Sequence, residues 1–292
     1  MKVESPFPRT ILLAIMLTGI WYSLRSALME SNQHRKSVLT EFSSKDSLAP
    51  LPASDHRFII ISHRGDHVVA PENSLQALDS ALAHGVDYVE IDLRTSQDSV
   101  LYIMHDESVN RTTTGKGLLR RMSAFDLDTC HLRNSRETIP RLSKYLEKCG
   151  RRTNIYLDFK DADVRQTLKM LDEYRMRNHI LVYINSYTQY AEWRKWSPET
   201  PVILSLPGHI KDSLGMKAFL DKYPAEVLDG GHDEYEPAMV EYAESKGIRV
   251  WPDIQGSNEE KDWETAIRKG FTGLQTDHPE NLARWLHDKG LR

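Results

Sequence analysis

Tyr88-Val89-Glu90-Ile91-Asp92-Leu93 and Val100-Leu101-Tyr102-Ile103-Met104-His105-Asp106 are two apolar runs of strand length, with only seven residues between Asp92 and Val100. A parallel crossover needs a dozen or more residues, so the second run must return antiparallel to the first. Working outward, β-rich runs recur at 58–62, 87–92, 100–105, 154–159, 180–184, 202–206, 226–229, 248–251 and 272–275. Most are separated by helix-length segments that carry the helical period. Leu75, Leu78, Ala81 and Leu82 follow Pro71-Glu72-Asn73, and Met239, Val240 and Ala243 precede Gly247. Strand–helix alternation of this kind predicts a parallel α/β sheet, and closing it gives a TIM (β/α)8 barrel. Nine runs are one too many for that barrel. Setting aside 100–105 as an extra antiparallel hairpin arm after the second strand leaves eight.

If the arm turns at Gln97-Asp98, paired residue numbers sum to 195, so Glu90 faces His105 and Asp92 faces Ile103; a slip of one or two positions stays open. Cross-strand partners share a face, as do residues two apart. On this register Glu90, Asp92 and His105 converge at the C-terminal rim. The first run ends Ile61-Ser62-His63-Arg64-Gly65, which brings His63 to the same rim, where barrel enzymes keep their active sites.

Two carboxylates on one face of a strand end repel each other unless a cation lies between them, and oxygen-only ligands favour Mg²⁺ or Ca²⁺ over zinc. Asn154-Ile155-Tyr156-Leu157-Asp158-Phe159-Lys160 supplies a third carboxylate and a cation on one face. A hard cation beside Arg64 and Lys160 suits phosphate, since both hold the charge that develops on phosphoryl oxygens. His63 and His105 then provide proton transfer near neutral pH.

Bulk properties are consistent with an enzyme domain. The 292 residues are 40% hydrophobic with a formal charge of −4, so nothing in the charge attracts nucleic acid. Cys130 and Cys149 match no zinc or redox spacing and read as buried free thiols. Lys2 and Arg9 precede the apolar stretch Ile11 to Leu24, closed by Arg25, which is a targeting signature. Residues 1–25 fit a signal peptide or a membrane anchor. The missing A-x-A arrangement leans toward an uncleaved anchor, and either reading gives an extracytoplasmic protein of the cell envelope, membrane-anchored or secreted. Residues 26–56, polar with Pro50 and Pro52, read as a flexible tether, and the folded domain as 57–292.

Taken together, His63-Arg64-Gly65, Pro71-Glu72-Asn73-Ser74, Glu90-Ile91-Asp92, His105-Asp106, Arg111-Thr112-Thr113 with Gly115, Ile139-Pro140-Arg141-Leu142, Leu157-Asp158-Phe159-Lys160, Val250-Trp251 and Thr276-Asp277-His278-Pro279 resemble the glycerophosphodiester phosphodiesterase family. The likeness covers 58–285 in order. It implies a TIM barrel that hydrolyses a small-molecule glycerophosphodiester to glycerol phosphate and an alcohol. A divalent cation, Mg²⁺ or Ca²⁺, would be held by Glu90, Asp92 and Asp158, with His63 and His105 as the acid–base pair. Arg64 and Lys160 would contact phosphate, and Trp251 would either pack on the glycerol carbons or serve as a core aromatic.

Departures from the family pattern are specific. Asp158 stands where Glu is usual, Ser74 where Thr is commoner, and Pro252-Asp253-Ile254-Gln255 where Thr-Val-Asn is more frequent. Asp66-His67 adds a third histidine near the rim, and any cap over the site is expected to be small, limited to the Gly115–Arg121 loop. Two competing functions remain at this level: a phospholipase C- or D-like lyase that makes a cyclic phosphate, and an inactive envelope-tethered binding protein. Against the second, every proposed position carries a competent side chain.

Overall fold

The computed structural model describes residues 48–292, which lie in one compact unit. The apolar segment 1–25 and most of the tether lie outside the described residues. Among those described, no helix is long and apolar enough to cross a membrane.

Strands and helices alternate in chain order. β1 (Ile59–Ser62), α1 (Leu75–Ala83), β2 (Tyr88–Thr95), β3 (Leu101–Ile103), α2 (Ala124–Leu127), α3 (Leu142–Cys149), β4 (Asn154–Phe159), α4 (Val164–Glu173), β5 (Ile180–Ile184) and α5 (Tyr187–Trp196) form the first part. After them come β6 (Val202–Ser205), α6 (Ser213–Lys222), β7 (Val227–Asp229), α7 (Pro237–Ser245), β8 (Arg249–Val250), β9 (Asp253–Ile254), α8 (Glu260–Arg268), β10 (Gly273–Thr276) and α9 (Pro279–Asp288). Except for β3, every strand pairs parallel to its neighbours, in the order β8-β7-β6-β5-β4-β2-β1-β10-β9. The two ends of that path, β8 and β9, are separated in sequence only by Trp251-Pro252. Segment 249–254 therefore meets β7 on one side and β10 on the other, and the α/β sheet curls round on itself. Proline explains the break, because it has no N–H to give the ladder.

The curled sheet is filled in layers. Ile59, Ile61, Tyr88, Tyr156, Leu181, Ile203, Val227 and Trp251 form one apolar cluster inside it. Strand side chains alternate in direction, so the next inward positions lie two residues further on. Those positions are His63, Glu90, Asp158, Tyr183, Ser205, Asp229 and Asp253, with Gln275 on β10. One two-residue step thus divides core from polar rim on nearly every strand. Gly273 leaves room for this packing: a Cβ there would lie 2.7 Å from Ile59 Cβ and 3.0 Å from Trp251 Cδ1.

Residues 48–56 are not a free tether. Leu51 packs on the interior cluster, Tyr88 Oη donates to the Pro52 carbonyl at 3.3 Å, and Asn154 Nδ2 donates to the Ala53 carbonyl at 2.8 Å. Leu48, Leu51 and Pro52 supply enough apolar contact to hold this stretch, although its composition resembles a linker.

β3 pairs antiparallel with β2, and the register is one residue away from the expectation. Leu93 faces Ile103, Arg94 faces Tyr102 and Thr95 faces Leu101. A wider turn than a two-residue hairpin causes the shift. Ser96 N–H donates to Val100 O at 2.9 Å, Val100 N–H donates to Ser96 Oγ at 2.9 Å, and Ser99 takes φ 65°. A one-residue slip exchanges strand faces, so His105 is not the cross-strand partner of Glu90. The segment beyond β3 is also larger than a single loop. Tyr102, Met104, Val109, Leu119, Leu127, Cys130, Leu132 and Ile139 form an apolar cluster of their own, and both Cys130 and Cys149 are buried free thiols.

Candidate active site

Strand register assembles the carboxylates. Glu90 and Asp92 are two apart on β2, and Asp158 on β4 is the direct parallel partner of Asp92. One oxygen from each can be chosen so that all three lie within 4.8 Å of one another. Burial, then Asp92 and Asp158, push the Glu90 carboxyl well above the usual range. Burial and Asp92 likewise raise Asp158, against the pull of Lys160. Lys160 Nζ reaches Asp92 Oδ1 at 3.2 Å and Asp158 Oδ2 at 2.5 Å. Although burial opposes its charge, these carboxylates and Glu90 hold its pKa above the ordinary lysine value. Lys160 and, at 3.6 Å from Asp92, the Arg64 guanidinium leave three crowded acids under-compensated, and an all-oxygen donor set of this kind fits a hard divalent cation.

The turn after β1 aims its groups at the same acids. Arg64 has φ 52°, and its backbone N–H donates to Glu90 Oε2 at 2.7 Å. Gly65 follows at φ 75° against α1, where a Cβ would meet Ala77 Cβ at 2.7 Å, so only glycine fits. Arg64 Nη1 donates to Glu72 at 3.1 Å, while its buried Nε has no hydrogen-bond acceptor and lies 3.6 Å from Asp92 Oδ2. An unsatisfied guanidinium N–H here is a ready donor for an anion. Asn73, at φ 60°, locks the carboxylate-bearing strand: its Nδ2 donates to Asp92 Oδ2 at 2.7 Å and its Oδ1 accepts the Asp92 N–H at 3.3 Å.

Both histidines are held through Nδ1 by a carboxylate, leaving Nε2 free. His63 Nδ1 is 2.7 Å from Asp277 Oδ1, and His105 Nδ1 is 2.8 Å from Asp106 Oδ1. Burial lowers the His63 pKa, and the Asp277 hydrogen bond only partly restores it. His105 reaches the site because the chain bends after Ile103. Arg94, two residues beyond Asp92, donates from Nε and Nη2 to the His105 carbonyl at 2.9 and 2.7 Å, and pairs with Asp161 at 2.9 Å. Arg111 ties the two loops together. It grips Asp106 at 2.6 and 2.9 Å and Glu72 at 2.6 and 2.8 Å. Its hydrogen bonds, with help from His105, hold Asp106 far below the usual carboxylate range.

A cleft of about 250 Å³ brings together His63, Arg64, Glu90, Asp92, His105, Asp158 and Lys160. Trp251 is the exception among the expected site residues. It is 3% exposed and packs on Tyr88 at 5.5 Å between ring centroids, one layer beneath the cleft. Asp253, two residues further on, takes the rim position. The cleft is also lined by Asp229, Asp253 and Gln275; sequence reasoning named Asp253 only as part of a departure from the family pattern and passed over the other two. Tyr156 Oη donates to Asp229 at 2.8 Å, Gln275 Nε2 donates to Asp253 at 2.6 Å, and Gln275 Oε1 is buried without a partner. Extending the inward alternation past each apolar run places all three at the rim.

Comparison with known proteins places this geometry. The profile of the Glycerophosphoryl diester phosphodiesterase family matches residues 63–281. A glycerophosphodiester phosphodiesterase of Caldanaerobacter subterraneus subsp. tengcongensis is 24% identical over 245 residues, covering 80% of this chain and 99% of that protein. One from Bacillus subtilis is 23% identical over 254 residues, 78% of this chain and 86% of that one. Among solved structures, a glycerophosphodiester phosphodiesterase from Agrobacterium tumefaciens is similar with a TM-score of 0.69 at 27% identity, covering 78% of this chain and 99% of that one. An Oleispira antarctica phosphodiesterase solved with the product sn-glycerol-3-phosphate also has a TM-score of 0.69, at 21% identity, covering 79% and 96%. With the match spanning well over half its length, the chain belongs to the glycerophosphoryl diester phosphodiesterase family.

Proposed function

We propose that this protein hydrolyses glycerophosphodiesters to glycerol phosphate and an alcohol, using one divalent cation and two histidines on a TIM barrel with a hairpin arm. The carrying observation is that two carboxylate-held histidines, three clustered carboxylates, Arg64 and Lys160 line one cleft. Glu90, Asp92 and Asp158 would hold the cation, Mg²⁺ or Ca²⁺, which when bound supplies Lewis acidity at a phosphoryl oxygen. Arg64 and Lys160 bind and orient the phosphate. Trp251 acts from beneath by packing, not by touching the glycerol carbons.

Their surroundings divide the histidines. His63, buried and kept neutral, accepts a proton at Nε2 while Asp277 holds Nδ1–H and steadies the imidazolium that forms. His105 is more open, and with Asp106 on its Nδ1 its Nε2 is the group turned to give a proton to the leaving alkoxide. The apolar segment before the domain supports a place outside the cytoplasm, held near the membrane, where deacylated phospholipids are a source of such diesters.

Product analysis on glycerophosphocholine tests the reading. Glycerol 3-phosphate and choline in equal amounts are expected. Accumulation of a cyclic phosphate with no glycerol 3-phosphate would show lyase chemistry instead.

A further inference from the structure

His67 serves neither the carboxylate group nor the cleft lining, yet it stands in a constrained position. Its Nδ1 lies 2.8 Å from the His63 carbonyl oxygen and must therefore carry the proton. In the neutral ring, Nε2 is then a bare lone pair, and it faces Asp277 Oδ1 at 3.6 Å. Two acceptors turned toward each other call for a shared partner, a proton, a donating water or a metal ion.

A third ligand atom is at hand. His63 Nδ1 is 2.7 Å from the same Asp277 oxygen, and one ligand atom from each of the three residues can be chosen so that all lie within 4.8 Å of one another. Tetrahedral Zn²⁺ with bonds of about 2.0–2.1 Å spaces its ligand atoms by about 3.3 Å. The His67 to Asp277 distance is already close to that, and the His63 to Asp277 pair need only open by roughly half an ångström. Outer contacts of the kind that orient metal ligands are present too: the His63 carbonyl on His67 Nδ1, and the Gly256 N–H on Asp277 Oδ2 at 2.9 Å. All three side chains keep some exposure, so an ion can reach them.

We propose that His63, His67 and Asp277 form a second cation site, selective for a borderline transition metal such as Zn²⁺ and inhibitory when filled. Two imidazoles and one carboxylate suit Zn²⁺, whereas Glu90, Asp92 and Asp158 suit Mg²⁺ or Ca²⁺. Inhibition follows from tautomer chemistry. A metal on His63 Nδ1 leaves the ring proton on Nε2, so the nitrogen facing the cleft can no longer accept one. Binding at this site stands independently of the proposed reaction; only the inhibitory consequence rests on His63 acting as a base.

The test uses the full chain with Mg²⁺ in excess and Zn²⁺ as the probe. Equilibrium dialysis with metal analysis should find one Zn²⁺ per chain, with activity falling as it binds and not recovering when Mg²⁺ is raised. His67→Gln should weaken that binding at least about 10-fold, whereas Asp158→Asn should leave it intact. Co²⁺ offers a readout on the unaltered protein: intense visible bands of a four-coordinate, nitrogen-containing site are expected, and the weak bands of six-coordinate oxygen ligation would overturn the assignment. Equal Zn²⁺ affinity in His67→Gln, loss in Asp158→Asn, or no Zn²⁺ retained beside Mg²⁺ would each overturn it as well. The last result would mean that a proton or a water fills the gap.

Discussion

His63 is the residue whose setting constrains the chemistry most. Burial pulls its pKa down, while the Asp277 hydrogen bond and charge pull it up, and the first effect prevails. A base works when deprotonated, so activity should persist to a pH below the usual histidine range before it falls. Asp277→Asn removes the upward pull, so the acid limb of kcat/KM should move to still lower pH, with kcat reduced on the order of 10²-fold or more. A pH–rate profile of both proteins checks this. An unchanged acid limb would mean that His63 is not the group titrating there. That His63, Glu90, Asp92, Asp158 and Lys160 gather in one cleft was readable from strand-end placement, since each lies near the end of an apolar run on the inward phase. Asp277 was visible only as part of Thr276-Asp277-His278-Pro279; that it holds His63 depends on β10 lying beside β1, a pairing between chain ends that periodicity does not encode.

Among the elements, the hairpin arm shows most clearly where sequence reasoning stops. Seven residues between runs fixed its antiparallel direction, because chain length forbids a crossover. Register is another matter: it depends on turn geometry, and Ser96-Gln97-Asp98-Ser99 carries no Asn-Gly or Asp-Gly signal for a two-residue turn. The observed register moves His105 off Glu90 and hands its placement to Arg94 through the His105 carbonyl. Arg94→Met should therefore lower kcat by about 10²-fold through misplacement of His105, with the metal requirement little changed. Steady-state kinetics across Mg²⁺ concentrations separate the two. A large shift in metal dependence with kcat preserved would assign Arg94 to the carboxylate group instead.

At the level of the whole molecule, the curled sheet places a dry layer under a polar one, and a two-residue step along each strand carries the chain from one to the other. The α/β alternation was legible because helix and strand periods differ so clearly. Trp251 and Asp253 were harder to assign, since both face inward and only the depth of the layer tells which meets substrate. Residues 48–56 escaped notice because contacts to a barrel floor leave no periodic trace in nine residues. Packing under the site is tight at Gly273. A Cβ there would sit 2.7 Å from Ile59 Cβ and 2.9 Å from the Ile59 carbonyl oxygen, so Gly273→Ala should cost about 1–3 kcal/mol. For a domain of this size that is roughly 2–4 °C in Tm per kcal/mol, measurable by calorimetry. An unchanged Tm would mean that the layer beneath the cleft yields more readily than its contacts suggest.

The whole account turns on a cation held by Glu90, Asp92 and Asp158 that works with His63 and His105 on a phosphodiester. The direct measurement is release of glycerol phosphate from glycerophosphocholine by the full chain, first in EDTA and then with Mg²⁺ or Ca²⁺ restored. Loss of activity in chelator and its return with the divalent ion are predicted; full activity in chelator would contradict the account.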